Sequence, residues 1–154
     1  MKFTAKSDTD APVEEVFRQC SDFAAFETHA LQRGVQVSYR TQLKQPGAER
    51  GWDLRLKLRG RPRDIEIELV GYEAPNRLIF VADGGGVVSD IVIDVVELAR
   101  QRSRLHLSVD LRPQSMGGRI LIQSLKLAKG TLKRRLDKRV VNFAQQIEEN
   151  VPAS

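Results

Sequence analysis

Tyr39 and Glu97 are two side chains capable of acid–base chemistry that share an alternation with apolar neighbours in this sequence. Tyr39 follows Val37 in one alternating segment, and Glu97 follows Ile93 and Val95 in another. A glutamate held in an apolar interior has a raised pKa and can act as a general acid. We favour the alternative that Glu97 lies at a strand end beyond the core or is displaced by a bulge.

The two histidines and the single cysteine add little to this chemistry. His106 alternates together with charged residues, which predicts that it faces solvent. His29 lies near the end of a short predicted helix. It could be a surface residue there, or it could lie at the rim of a pocket. Cys20 falls on the apolar face of another helix and is expected to be a small buried hydrophobe. These residues support no Ser–His–Asp or Cys–His arrangement, so we predict no catalytic residue, no metal site and no cofactor.

The segment 84–86 is a run of three glycines that precedes a strand rather than a helix. This context favours a hairpin turn over a phosphate-binding loop. Asp90 and Asp94 follow it, and four residues along a strand separate them by roughly 13 Å, too far to share one metal ion. We expect both on the outer face of the sheet. Three valines share that parity and could form a dimer contact, so monomer and homodimer both stay open: Val88, Val92 and Val96.

Six segments after residue 34 alternate between apolar and polar residues, as half-buried antiparallel strands do. Residues 2–9 alternate in the same way and predict a first strand. Two of the later segments, 52–58 and 64–69, are separated by a turn signal at Gly60 and should pair as a hairpin. Their outer faces would then oppose positive and negative charge across the strands. The opposed sets are Arg55, Lys57 and Arg59 against Asp64, Glu66 and Glu68.

Apolar residues at helical spacing occur both before and after these six strands in the sequence. Two short helices are predicted between the first strand and the rest, the first with Pro12 in its opening turn and the second ending near Gly34. Along the last forty residues, apolar side chains recur every three or four positions, which predicts one long amphipathic helix. Its apolar stripe is Leu121, Leu125, Ala128, Leu132, Leu136, Val140, Phe143 and Ile147.

The chain of 154 residues is long enough to bury its own core, and we expect a single domain over 1–154. One cysteine excludes an internal disulfide framework and fits a reducing compartment. The first ten residues carry four charges rather than an apolar stretch, so they are not typical of a signal peptide. No apolar run approaches the roughly 20 residues that span a bilayer. We therefore expect a cytoplasmic protein.

The net charge of +5 is carried by the C-terminal segment. Residues 1–113 hold 17 basic and 17 acidic side chains, whereas residues 114–154 hold 8 basic and 3 acidic ones. Most of the basic residues fit a solvated helix surface, but Arg135 and Arg139 fall near the apolar side and could reach an anionic ligand head. Because no aromatic residue interleaves the cluster, we predict no nucleic-acid partner. Contact with a membrane surface stays open.

The order of a strand, two helices, about six strands and a helix resembles the START-like (SRPBCC) superfamily, which includes the polyketide cyclase/dehydrase and lipid-transport group. The resemblance implies an α+β helix-grip fold, in which a curved antiparallel sheet of about seven strands wraps around a long C-terminal helix. It also implies a cavity between sheet and helix for apolar or amphipathic ligands, where a minority of members catalyse reactions. The local matches are the segment 11–17, Asp22-Phe23, Gly51-Trp52, the segment 72–78 and the closing helix.

We therefore predict that the protein binds a small hydrophobic or amphipathic molecule between the sheet and the C-terminal helix. Binding ranks above catalysis because the inner parity of the strands is almost wholly apolar. One alternative is a cyclase- or hydrolase-like enzyme using Tyr39, His29 or Glu97, and another is an interaction module using the basic helix. The predicted ligand-binding residues are Tyr39, Trp52, Leu54, Leu56, Ile67, Leu69, Ile91, Ile93, Leu107, Val109, Leu125, Ala128 and Leu132.

Overall fold

The computed structural model describes residues 1–58 and 60–152. Over these residues the chain forms seven strands and four helices. In chain order they are β1 (Lys2–Thr9), α1 (Val13–Cys20), α2 (Phe23–Gln32), β2 (Gln36–Tyr39), β3 (Arg50–Leu58), β4 (Arg61–Glu73), β5 (Arg77–Gly84), β6 (Val87–Ala99), β7 (Arg102–Pro113), α3 (Met116–Leu127) and α4 (Lys129–Glu149).

The seven strands form one antiparallel sheet in the order β1-β7-β6-β5-β4-β3-β2. Strands β2 to β7 follow one another as a meander, whereas β1 pairs with β7 at the far edge. The helices α1 and α2 connect β1 to β2, the two edge strands. This arrangement confirms the predicted helix-grip fold and the predicted order of elements from β1 to β7.

The helix α4 packs on the inner face of the sheet near β1. The Thr9 hydroxyl donates to the carbonyl of Ala144 at 2.9 Å, and the Gln19 side chain donates to the carbonyl of Ile147 at 3.2 Å. Ile147 is fully buried. The apolar face of α1 packs into the same core, as its spacing predicts. The largest fully buried apolar side chains of this core are Leu69, Leu78, Ile147, Val16, Val95 and Cys20.

The glycine run closes the hairpin between β5 and β6, as predicted. Gly85 and Gly86 have φ values of 64° and 77°, which glycine adopts at little steric cost and which a two-residue hairpin turn requires. The turn also touches the start of α3, because a Cβ on Gly118 would lie 1.9 Å from the carbonyl oxygen of Gly86. The backbone N–H of Gln114 donates to that same oxygen at 2.7 Å.

The C-terminal stripe is divided between two helices, α3 and α4, rather than carried by one. The division lies at Ala128, whose φ and ψ of −102° and 13° leave the helical region. Gly130 follows two residues later, and glycine costs about 1 kcal/mol relative to alanine inside a helix. Lys126, Lys129 and Lys133 add like charges at helical spacing, which also disfavours a continuous helix.

The predicted charge ladder between β3 and β4 is wrong except for one pair. The register places Arg55 opposite Asp64, with 3.9 Å between their charged atoms, but it places Lys57 opposite Pro62. Because the turn near Gly60 is tight, residues close to it pair with one another and cannot reach the acidic residues further along β4. The predicted contribution of Arg59 lies outside the described residues.

Glu66 and Glu68 instead meet Arg40, which follows β2. The Arg40 side chain is only 9% exposed and lies 3.2 Å from the Glu66 carboxylate and 3.4 Å from that of Glu68. Its Nη1 also donates to Asp53 at 2.5 Å. Glu68 is itself buried and accepts the backbone N–H of Lys44 at 2.9 Å. This ion cluster fixes the segment 40–45 on the outer face of the sheet.

Candidate functional site

A cavity of about 340 Å³ lies between α2 and the inner face of strands β2 to β6. We call it the aromatic cavity. Eleven of its twelve lining side chains are apolar, and Glu27 is the exception. The lining residues are Cys20, Phe23, Phe26, Glu27, Ala30, Val37, Trp52, Leu54, Ile67, Phe80, Ile91 and Ile93.

Three aromatic rings shape one wall of this cavity. The ring centroids of Phe23 and Trp52 are 5.3 Å apart, and those of Phe23 and Phe80 are 6.2 Å apart at 88°. Tilted and edge-on arrangements of this kind are favourable because the positive edge of one ring meets the negative face of another. The wall is therefore apolar, and it extends from α2 across β3 to β5.

Glu27 is the polar group at the cavity, and it is held by two donors from the sheet. Its carboxylate accepts the Trp52 indole N–H at 3.0 Å and the Tyr39 hydroxyl at 2.9 Å. Donation to this carboxylate raises the pKa of Tyr39 above its ordinary value. Tyr39 is 62% exposed, so the hydrogen bond between Tyr39 and Glu27 lies at the mouth of the cavity.

Arg50 covers the same mouth. Its guanidinium carbon lies 5.0 Å from the Phe23 ring centroid and 5.5 Å from that of Trp52. A guanidinium over aromatic faces is attracted by the ring quadrupole while remaining accessible to water. The mouth thus presents one carboxylate and one guanidinium beside an apolar interior.

The helix α2 forms the roof of the cavity and is lightly packed. Asp22 caps its first turn by accepting the backbone N–H of Ala25 at 3.1 Å. None of its residues is fully buried, and Phe26 is 44% exposed although it points along the apolar face. The helix α2 therefore packs over a cavity and not against a filled core.

A second cavity of about 440 Å³ adjoins the first between α2, α4 and the strands β6 and β7. We call it the helical cavity. It shares Cys20, Phe26 and Ile93 with the aromatic cavity, and the rings of Phe26 and Phe143 bridge its two helices at 5.7 Å. Its full lining is Cys20, Phe26, His29, Arg33, Ile93, Leu105, Leu107, Leu136, Arg139, Val140, Asn142, Phe143 and Gln146.

The structure brings together part of the predicted ligand-binding set. Trp52, Leu54, Ile67, Ile91 and Ile93 line the aromatic cavity, and Leu107 joins Ile93 in the helical cavity. The remaining residues are not in either lining. They are Tyr39 at the exposed mouth, Leu69 in the filled core, Leu56, Val109, Leu125 and Leu132 in half-buried positions, and Ala128 on the surface.

The candidate acid–base and nucleophilic residues are dispersed. His29 lines the helical cavity, whereas His106 lies on the outer face beside β1 and Arg104. Glu97 is exposed and stands next to a bulge between β6 and β7, the arrangement that we favoured from the sequence. Cys20 is 2% exposed, and its burial raises the pKa of the thiol to about 12. The thiol is therefore protonated and inert at neutral pH.

The strand carboxylates Asp90 and Asp94 form ion pairs with neighbouring strands. Asp90 pairs with Arg112, and Asp94 accepts the Arg77 guanidinium at 2.7 Å. Within residues 1–58 and 60–152, no group of three or more His, Cys, Asp or Glu side chains is placed to hold a metal ion. In the same residues, no helix is both long enough and apolar enough to cross a membrane.

Sequence reasoning missed Glu27 and the aromatic residues of α2. A signal was present, because Phe23, Phe26, Glu27 and Ala30 share one helical face, and an acid on an apolar face needs a partner. It also placed the helix wall of the cavity too early in the chain. The apolar side chains of α4 that line the helical cavity are Leu136, Val140 and Phe143, one to three turns after Leu132.

Comparison with known proteins places this geometry among START-like folds. Similar solved structures include an aromatase/cyclase from Streptomyces (12% identity, TM-score 0.64, covering 95% of this chain and 94% of that chain). A START superfamily protein from Mycobacterium smegmatis matches at 12% identity and TM-score 0.56, covering 90% and 96%. Norcoclaurine synthase from Thalictrum flavum, in complex with dopamine and hydroxybenzaldehyde, matches at 10% identity and TM-score 0.66, covering 99% and 89%.

These likenesses are low in sequence identity and establish the fold. No curated protein matches the chain by sequence. The family model described as polyketide cyclase / dehydrase and lipid transport, by contrast, matches residues 1–148. The chain therefore belongs to the polyketide cyclase/dehydrase and lipid transport family.

Proposed function

We propose that this protein binds a small hydrophobic or amphipathic molecule in the joined aromatic and helical cavities. The observation that carries the proposal is the lining of the aromatic cavity, in which eleven apolar side chains surround a single hydrogen-bonded carboxylate. Burial of apolar ligand surface contributes about 25 cal/mol per Å² before ordering costs. A concave, preformed and mostly apolar space of several hundred Å³ is typical of small-molecule sites.

Native mass spectrometry of the gently purified protein, followed by denaturing extraction, tests the proposal. We expect an apolar molecule at near one per chain. Trp52 is the single tryptophan and lines the aromatic cavity, so its fluorescence reports binding of added ligand.

A matched pair of variants on α2 sharpens this test. Ala30 lines the aromatic cavity, whereas Ala24 lies on the exposed side of the same helix. We expect Ala30→Phe to fill the space and weaken binding roughly tenfold or more, and Ala24→Phe to leave it unchanged. Equal binding by both variants, or a ligand-free protein that takes up no apolar probe, would refute the proposal.

A second candidate function is catalysis at the cavity mouth, favoured by the hydrogen bond from Tyr39 to Glu27. A hydroxyl and a carboxylate beside an apolar cavity could move a proton to or from a bound molecule. Incubation of the extracted ligand with fresh protein, followed by mass analysis, tests this candidate. Conversion that Tyr39→Phe abolishes without loss of binding supports catalysis. A ligand recovered chemically unchanged counts against it.

Two finer expectations remain part of the proposal. A reducing compartment such as the cytoplasm suits a chain whose one cysteine is a buried free thiol. A monomer and a homodimer are both compatible with a cavity built within one chain. Sedimentation equilibrium distinguishes these two states.

A further inference from the structure

Basic side chains gather at the rim of the helical cavity. Arg33 follows the last turn of α2, His29 lies one turn earlier, and Arg139 comes from the middle of α4. All three are exposed, and all three line the same cavity. The lining contains no Asp or Glu, so this rim differs from the mouth of the aromatic cavity, where Glu27 is present.

The two guanidinium groups of this rim are also unpaired. Among the described residues, neither Arg33 nor Arg139 lies within 4.0 Å of a carboxylate, although many other arginines of the chain are paired in this way. An arginine presents a planar fork of donors that fits a carboxylate in a bidentate manner. Two such forks, one directly after α2 and one on α4, line the same cavity as the apolar side chains of Leu105, Leu107 and Val140, and this combination is suited to an amphipathic anion.

We propose that the ligand carries a carboxylate head, which Arg33 and Arg139 bind at the rim of the helical cavity. Its apolar body lies along Leu107 and Ile93 and continues past Phe26 toward the aromatic cavity. This inference rests on the proposed function and adds the charge and position of the ligand head. His29 and the amide of Asn142 supply further donors at the same rim.

Three probes with the same twelve-carbon chain test the inference: dodecanoate, dodecan-1-ol and dodecyltrimethylammonium, each kept below its micelle concentration. Binding is followed by Trp52 fluorescence and by calorimetry. We expect dodecanoate to bind roughly tenfold more tightly than the alcohol, and the cation to bind least. The double variant R33Q/R139Q should abolish the preference for dodecanoate while the alcohol binds as before.

The control variant is R100Q/K138Q, which removes the same charge from exposed residues that line neither cavity. It should keep the preference. If the alcohol binds as tightly as dodecanoate, the anion site is refuted while the apolar cavity stands. If both double variants lose the preference equally, the effect is general electrostatics and the assignment to Arg33 and Arg139 fails. If none of the three probes binds, the proposed function itself is refuted, and the anion site with it.

An independent observation concerns the outer surface of α3. Met116, Ile120 and Leu127 are 72%, 62% and 93% exposed, and at 100° per residue they fall within 40° of one another. Gly118 and Ile122, the buried residues of this helix, lie on its opposite side. The helix is thus apolar on two faces, and one of them has no packing partner within residues 1–58 and 60–152.

Basic side chains lie beside this exposed apolar stripe. Arg119 and Lys126 flank the stripe on one side, Lys129 follows it, and α3 contains no acidic residue. An exposed apolar stripe next to cations is the pattern of a helix that lies in a membrane interface and is attracted to anionic lipid. We infer that α3 docks on an anionic membrane surface through Met116, Ile120 and Leu127.

Vesicle flotation tests this second inference. We expect the protein to float with vesicles of phosphatidylserine and phosphatidylcholine at low salt, and not with phosphatidylcholine alone. The variant I120S/L127S should lose flotation. The control V96S/L98S removes two exposed apolar side chains elsewhere, 48% and 42% exposed, and should retain flotation. Flotation that both variants keep, or a solution dimer that I120S/L127S converts to monomer, would show that the stripe serves another purpose.

Discussion

Glu27 is the residue on which the cavity mouth depends. It joins three elements, because α2 carries it while β3 and β2 supply the Trp52 and Tyr39 donors. Both partners are uncharged hydrogen-bond donors, so neither forms an ion pair with Glu27. The mouth therefore presents an acidic side chain beside the basic Arg50, and a ligand entering there meets both.

The tyrosine of this group offers a direct test by titration. The hydrogen bond to Glu27 raises the pKa of Tyr39, so in a Tyr72→Phe background the absorbance at 295 nm should titrate above pH 10.0. Glu27→Gln should lower this midpoint. Because the folded pKa is the higher one, Tyr39 stabilises the fold below its ordinary pKa, and this contribution is lost as the pH rises through the folded value. An unchanged midpoint in Glu27→Gln would contradict the hydrogen bond.

Gly51 is the residue whose small size the ion cluster requires. A Cβ there would lie 3.0 Å from the Cδ of Arg40, the Cγ of Glu68 and the carbonyl oxygen of Ile67. We expect Gly51→Ala to lower the free energy of unfolding by about 1–3 kcal/mol. Urea unfolding provides the measurement.

Gly117→Ala is the matched control for this prediction. Its Cβ would meet only the Ser115 hydroxyl at 3.8 Å, and alanine is favoured over glycine in a helix by about 0.5–1 kcal/mol. The two substitutions should therefore have opposite signs. A neutral Gly51→Ala would mean that the cluster relaxes without cost.

Among the elements, α2 should be the helix that moves. It has no fully buried residue, whereas α4 buries Val140, Ala144 and Ile147. We expect the amides of α2 to exchange with deuterium much faster than those of 140–147, and to slow when a ligand occupies the cavities. The amides of α1, which is well buried, should not respond. If the exchange rates of the α2 amides do not change when a ligand is bound, the ligand binds outside these cavities.

The elements also show what a sequence can predict. The strands and the inner face of residues such as Leu54 and Ile67 follow from a period of two, which sheet geometry enforces. The ion cluster could not be predicted, because Arg40 reaches Glu66 and Glu68 only through a register that the turn at Gly60 sets. The break at Ala128 was missed since the apolar stripe runs on across it. The cavity could not be predicted either, because it depends on the space between α2 and the sheet. The spacing of apolar residues in the sequence does not reveal that space.

At the scale of the molecule, residues 1–154 should behave as one cooperative unit. The single sheet pairs β1 with β7 across most of its sequence, and the C-terminal helix α4 packs against β1. We expect thermal unfolding monitored by Trp52 fluorescence and by far-UV circular dichroism to give coincident curves. A ligand at a hundred times its Kd should raise Tm by roughly 5–10 °C. Two separate transitions would contradict the single domain.

The placement of β1 has a consequence for how the chain is made. Strands β2 to β7 leave the ribosome in the order in which they pair, so each hairpin can close as soon as it emerges. Lys2, in contrast, pairs with Asp110, and β1 has no partner until β7 has been synthesised. Among the seven strands of this sheet, β1 is thus translated first and paired last. Folding of the whole sheet must await the synthesis of β7, and β1 stays exposed to chaperones and proteases until then.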